Sequence, residues 1–299
     1  MVGVDDKFGC DTWEEAESTL QKEALLLAIG KAGLQKEDIR FLFAGDLLGQ
    51  SIASSFGLGG FQIPLMGMYG ACSTCGLTLS AATIVIAGGM AEYAACVTSS
   101  HFASAEKEFR YPLAYGNQRP LSATWTVTGS GAFVVSSVKG EHDSAVITGL
   151  TIGKIVDFGL KDSMNMGACM APAAADTIFA HFRDFRTGPE DYDKIITGDL
   201  GCVGQKALLD MMAEKGIDLA KVHMDCGIEI FDKSQDAHAG GSGCGCSAVT
   251  LAAYILKQLR EGRWKKVLFV PTGALLSKTS YNEGQSVPGI AHAVELVSV

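Results

Sequence analysis

Cys72 stands where an apolar run, PLMGMYGA (64–71), gives way to a helical pattern. The unpaired N–H groups and positive dipole end of a helix start favour a thiolate, so the position suits a nucleophile. The plainer reading is one more buried cysteine among nine. Cys72 and Cys75 form C-x-x-C, and Cys244 and Cys246 form C-x-C in a second small-residue loop, GGSGCGCS (240–247). Four thiolates can hold a structural zinc, but these spacings are not those of a finger or ribbon, and no metal site is expected. The second loop could cradle an anion on backbone N–H groups, or let two helix starts pack closely. No G-x-G-x-x-G or Walker pattern is present. A further polar group falls on the long connection 101–120. His101, Arg110 and Tyr111 there are candidate ligand contacts, beside Glu106, Lys107 and Arg119, because long irregular connections often form binding loops. The alternative is a set of solvated loop charges.

The elements that must position these residues follow from an internal repeat. Segment 36–47 (KEDIRFLFAGDL) aligns without gaps on 189–200 (PEDYDKIITGDL), with Glu37/Glu190, Asp38/Asp191, Gly45/Gly198, Asp46/Asp199 and Leu47/Leu200 identical. Each copy leads to a glycine loop (70–76, 240–247), an apolar helix, a strand (91–100, 265–273) and a closing apolar strand (128–137, 291–299). Strands alternating with helices predict α/β layers around largely buried sheets. The halves divide as 1–138, which carries Cys72, and 139–299, joined by the polar KGEHDS (139–144). The second half opens with a strand-like run, 145–157, that has no counterpart in the first. The first half is therefore expected to lack its opening strand.

Of 299 residues, 47% are hydrophobic and 19% charged, a composition that excludes disorder. Net charge is −9, and no Lys/Arg-rich cluster offers the basic footprint that a nucleic acid needs. Nine cysteines in a long, core-rich chain fit reduced thiols rather than a disulfide scaffold. The start, MVGVDDKFGCDTWEEAE, lacks the basic and apolar regions of a signal peptide. The most apolar stretch, 77–97, is broken by Gly88 and Gly89 and carries Glu92, so it reads as a helix and a strand rather than a membrane span. A soluble protein is expected.

Duplicated halves with a cysteine at a strand-to-helix junction resemble the thiolase fold, in which that cysteine attacks an acyl thioester. Ala71-Cys72-Ser73 resembles the nucleophile junction, and Thr128-Gly129-Ser130-Gly131-Ala132 the closing strand of the first half. The strings AGDLLGQ, GACST, TSSH, FRYP, TVTGSGA, MAPAAADTI, TGDL, AGGSGC and TGALLS are together similar to the stage V sporulation protein AD family of spore-forming Firmicutes. Working condensing enzymes place His or Asn where Ser242 aligns here, and a His near Asp199. Thiolases add a second Cys where this chain has Pro271-Thr272-Gly273-Ala274. A nucleophile without base or oxyanion donors lacks its working partners. The resemblance therefore implies a pocket adapted to bind dipicolinic acid (pyridine-2,6-dicarboxylate), with calcium accompanying the ligand and no resident cofactor. In that reading Cys72 is the nucleophile equivalent, and the ligand contacts are Cys72, His101, Arg110, Tyr111, Asp199 and Ser242. The implied partners are the other proteins of the spore's dipicolinate uptake machinery, at the cytoplasmic side of the spore inner membrane. A homodimer paired through 91–98 is expected as well. The alternative is an acyltransferase that uses Cys72.

Overall fold

The computed structural model describes residues 5–112, 114, 118–140 and 143–299. The first sheet contains β1 (Phe41–Gly45), β2 (Leu65–Gly67), β3 (Tyr93–Ser100) and, after the two-residue β4 (Trp125–Thr126), β5 (Gly129–Ser136). Its order is β2-β1-β3-β5, with β1 parallel to both neighbours and β5 antiparallel to β3. The second sheet contains β6 (Val146–Ile152), β7 (Lys194–Thr197), β8 (His223–Asp225), β10 (Lys266–Val270) and β12 (Gly289–Val297). There β8, β7 and β10 run parallel, and β12 is antiparallel to β10. On its other side β12 carries β6. Parallel strands covered on both faces read as continuous apolar runs, which is why FLFAG and KVLFV show no alternation.

The two sheets therefore share one order, except that β6 has no partner in the first. Among the described residues no strand lies on β5 where β6 lies on β12.

Helices make the other three layers. On the outer face of the first sheet, α1 (Trp13–Lys31) packs Leu25 and Ile29 on Leu42, Ala44, Ala95 and Val97, with α2 (Ile52–Leu58) alongside. Between the sheets lie α3 (Thr74–Ala87) and, later in the chain, the helix that opens at Cys244. Outside the second sheet are α5 (Met166–Phe185) and α6 (Gly201–Glu214); α4 (Phe102–Phe109) and the one-turn α7 (Cys226–Glu229) flank the centre, and α8 (Cys244–Thr250) is the second central helix. Leu79 and Ile86 of α3, Cys246 and Ala248 of α8, Phe43 of the first sheet and Phe269 of the second share one buried cluster. The expected pair of small-residue helix starts thus packs at the middle of an α–β–α–β–α stack.

Two expectations are corrected. Segment 91–98 is not an open edge: β3 is hydrogen-bonded on both sides, to β1 and β5. The edges of this sheet are β2, whose Leu65 and Met66 face solvent, and the half-buried β5. The connection 101–120 is not irregular throughout, since its first part folds as α4. His101 caps that helix and Glu106 reaches Arg110 one turn on, a local pairing that stabilises a short helix. Residues 113 and 115–117 of this connection, and His142 in the join, lie outside the described residues.

The central packing rests on absent side chains. A Cβ on Gly131 of β5 would stand 2.6 Å from the Ala248 carbonyl oxygen and 2.8 Å from the Ala248 Cβ. Gly131→Ala should therefore destabilise the fold by roughly 1–3 kcal/mol, by overpacking. Gly59→Ala, where nothing lies within 4 Å, should be neutral. Denaturant midpoints check the pair, and equal midpoints would contradict this packing.

Candidate functional site

The loop that holds Cys72 is tight. Ala71 adopts the left-handed region (φ 50°), a costly conformation for a residue with a Cβ. The Ser73 hydroxyl donates to the Gly70 carbonyl (2.6 Å) and the Thr74 hydroxyl to the Ala71 carbonyl (2.6 Å). The loop lies on β11 (Thr272–Ala274), where a Cβ on Gly273 would meet the Gly70 oxygen at 2.3 Å. The helix proper begins at Thr74, so Cys72 sits just before its first turn.

Asp199 arrives from the second half, on the turn between β7 and α6. It is 1% exposed and accepts hydrogen bonds from the Thr272 hydroxyl (2.7 Å) and the Gly243 N–H (3.1 Å). The Cys72 thiol lies beside the same carboxyl group. Burial pushes the Asp199 carboxyl up to about 7, against the pull of these donors. Burial, with the nearby Asp199, also raises the Cys72 thiol well above its ordinary range. This corrects the expectation of a stabilised thiolate: exclusion from water outweighs the helix start, and the resting pair is a neutral thiol beside an acid.

Ser242 is brought alongside by β9 (Gly241–Ser242), which pairs in parallel with β4 so that Ser242 stands opposite Thr126. Gly243 then turns with φ 104°, and a Cβ there would stand 2.6 Å from the Ser100 Oγ, so only glycine can deliver its N–H to Asp199. Cys72 is buried in an apolar cluster with Leu47, Leu48, Ala53, Ala105 and Cys244, with Phe109 packed against it.

The residues of the 101–120 connection are placed differently. His101 is 1% exposed: its Nδ1 accepts from the Ala103 N–H (3.1 Å) and its Nε2 donates to the Asp6 carbonyl (2.8 Å). Both ring nitrogens are thereby occupied in capping α4 and holding the N-terminal segment. Arg110 is also 1% exposed and paired with Glu106 (2.8 Å). The Tyr111 hydroxyl donates to the Lys107 carbonyl (2.7 Å) while its ring stacks on Tyr281. The structure thus brings Cys72, Asp199 and Ser242 together, with Arg110 linked to them through Glu106, whose carboxylate accepts from the Thr126 N–H (3.2 Å) and hydroxyl (2.8 Å). The thiols of the second loop point apart, Cys244 to the Ser99 carbonyl (2.8 Å) and Cys246 to the Gly198 carbonyl (3.5 Å). Among the described residues no three His, Cys, Asp or Glu groups converge as metal ligands.

Two carboxyl groups went unnoticed in the sequence. Asp225 is 1% exposed and accepts from the Thr197 hydroxyl (2.6 Å) and from the Leu200 (2.9 Å), Gly201 (3.0 Å) and Ile228 (3.2 Å) N–H groups, which fixes the turn that carries Asp199. Burial raises it to about 6. Glu17, raised to about 7 by burial, lies in the first half with Asp46, the repeat partner of Asp199. The available signal was an acid within an otherwise apolar strand end (HMDCG) or on the apolar side of a helix.

This chain is similar to known proteins at two levels. The profile of the family described as stage V sporulation protein AD matches residues 1–297. Stage V sporulation protein AD of Bacillus subtilis (strain 168) is 46% identical over 291 residues, 97% of this chain and 85% of that protein. Among solved structures, Xanthomonas campestris OleA with bound lauric acid and lauroyl-CoA superposes with a TM-score of 0.64 at 15% identity, over 94% of this chain and 82% of that one. The 3-oxoacyl-[acyl-carrier-protein] synthase III of Aquifex aeolicus gives 0.60 at 15%, over 94% and 84%. These likenesses establish the thiolase-like fold.

A raised Asp199 has a measurable sign. The native state holds its proton up to about 7, whereas the unfolded chain releases it near 3.8. Relative to Asp199→Asn, the parent should lose stability as pH rises through that window, by roughly 1 kcal/mol per unit, and level off above it. Unfolding free energies of both proteins across the window check this. A difference independent of pH would show that Asp199 is ionised throughout.

Proposed function

This chain belongs to the stage V sporulation protein AD family, and on that premise we propose that it binds dipicolinic acid in a thiolase-type pocket that no longer condenses acyl groups. The observation that carries this reading is the partner of Cys72. A condensing cysteine needs a base to take its proton and donors for an oxyanion. Here the thiol lies beside a buried carboxyl group whose own affinity for protons is raised, and the resemblance puts Ser242 where a His or Asn would serve. Such a pair offers hydrogen bonds to a ligand but does not generate a thiolate.

Dipicolinate is a flat ring with two carboxylates. The Cys72 thiol, the Ser242 hydroxyl and protonated Asp199 supply donors for one carboxylate, and Arg110 supplies positive charge on the far side of Thr126. Ionised Asp199 disfavours the bare dianion but presents oxygen to calcium, which takes oxygen ligands. His101 and Tyr111 border this region from α4 and its end. The role in the cell follows from the ligand: a peripheral component of the machinery that loads dipicolinate into the spore, acting from the cytoplasmic side with the machinery's other proteins. Among the described residues no helix is long and apolar enough to cross a membrane, so such a component attaches through partners. Its subunits pair with a second copy through β2, whose exposed Leu65 and Met66 would otherwise be a sticky edge.

Calorimetry with dipicolinate, with and without calcium, tests the ligand. Cys72→Phe should abolish binding, Arg110→Ala should weaken it about tenfold and Ser242→Ala less, while Asp199→Ala should matter chiefly with calcium present. Full affinity in the Cys72→Phe protein would place the ligand elsewhere. Stable acylation of Cys72 by acyl-CoA would favour the acyltransferase instead. Light scattering tests assembly: Leu65→Lys should convert a dimer to a monomer, and a monomeric parent would remove the pairing.

A further inference from the structure

Beside Ser242 the chain buries more positive charge than it neutralises. The side chains of Arg110 and Arg119 are 1% and 5% exposed, and among the described residues Glu106 is the one carboxylate in ion-pair range of either, at 2.8 Å from each. Burial works to raise the Glu106 carboxyl, but the two arginines hold it below its ordinary value, so it is ionised. Two guanidinium groups against one carboxylate leave a net positive charge in a nearly closed space, which is costly unless an anion balances it.

The donors are also incompletely used. A guanidinium has five N–H groups. Arg110 spends its Nε and Nη2 on Glu106 and the Thr124 carbonyl, while its Nη1 reaches only the Met164 thioether at 3.7 Å. Arg119 gives its Nη groups to Glu106 and the Thr124 carbonyl, and its Nε has no acceptor among the described residues. The Arg119 Cζ lies 4.2 Å from the Trp125 ring centroid, stacked on the indole. Around that indole, three buried polar atoms have no hydrogen-bond partner: the Trp125 Nε1, the Thr124 Oγ1 and the Nδ1 of His238, whose ring meets Trp125 edge-on at 5.8 Å. His238 is held there by a left-handed backbone (φ 49°), a strained placement that delivers its ring to this spot.

We propose that Arg119, Trp125 and their neighbours Arg110, Thr124 and His238 form a binding site for a small oxyanion, a carboxylate or a phosphate group, with the Trp125 indole N–H as its reporting donor. The site stands whether or not dipicolinate is the ligand at Cys72. It abuts that pocket through the Thr126–Ser242 pairing, so a second carboxylate of a ligand there, or a free phosphate, supplies the same chemistry.

The chain has three tryptophans, so the Trp125 indole N–H resonance is assignable by comparison with Trp125→Phe. The protein is titrated separately with inorganic phosphate, with picolinate and with dipicolinate. The expected result is a saturable shift of that resonance, with half-saturation moved up about tenfold in Arg119→Gln and less in Arg119→Lys, which keeps the charge but not the fork. Thr124→Val, which only removes an unpartnered hydroxyl, should leave the fold intact and still weaken the anion. A shift with phosphate alone supports the site and assigns it to a free anion, separate from the ligand at Cys72. A shift with the carboxylates alone assigns it to a ligand's carboxylate. No shift with any of the three, or identical titrations in the parent and in both the Arg119→Gln and Thr124→Val proteins, overturns the proposal.

Discussion

The arrangement depends on backbone meeting backbone at the centre of the stack. Gly131 lets β5 touch α8, and Gly76 does the same for α3 against the second sheet, where a Cβ would stand 3.1 Å from the Pro271 side chain and 3.2 Å from the His292 oxygen. Each central helix is thus pressed against the sheet of the opposite half. Cys72, from the first half, ends up beside Asp199, from the second, because those two contacts leave no room for a side chain between the layers. The site is a by-product of that close approach, and its composition of small and neutral groups is inherited from it.

The same geometry occurs on both sides of the internal pseudo-symmetry. Cys72 meets Asp199, while Cys244 lies near Glu17 and Asp46 of the first half, with its thiol on the Ser99 carbonyl. In the first half the acids are fully satisfied: Asp46 accepts from the Leu48 and Ser54 N–H groups and the Ser54 hydroxyl, and Glu17 from the Ser99 and Ser104 hydroxyls. Gln21 ties the two acids together, donating to both Ser54 (3.0 Å) and Ser99 (2.9 Å). The first-half centre is therefore a structural knot. The second-half centre keeps its acid next to a thiol that is only 7% exposed and shares an apolar cluster with Cys244. The two equivalent positions thus carry different surroundings.

Much of this fold was legible. The aligned Gly-Asp-Leu copies marked β1 and β7, and their loops marked α3 and α8, because buried parallel strands and glycine-dependent contacts leave a local imprint. What stayed hidden was non-local. Segment 91–98 proved internal and the edges fell to β2 and β5, because strand order within a sheet is not written in any one strand. His101 and Arg110 looked like free loop groups because α4 is short and is held by its cap and one ion pair. Asp225 and Glu17 were invisible because an acid in an apolar setting shows its meaning only through the donors that converge on it. Cys72 stands just before α3 as its sequence setting indicates, but its protonation was not legible there, since burial by Leu47, Leu48 and Phe109 comes from two separate segments.

Burial of the Cys72 thiol in that cluster has a consequence for timing. A molecule that is to touch the thiol must find the covering side chains displaced, so encounter alone does not complete the contact. Entry proceeds at the collision rate multiplied by the fraction of time the cover stands open, and the apparent affinity is reduced by that same fraction. Departure waits for the identical event. Slow arrival and long residence are then two faces of one barrier, set by greasy side chains that never touch the bound molecule's charge.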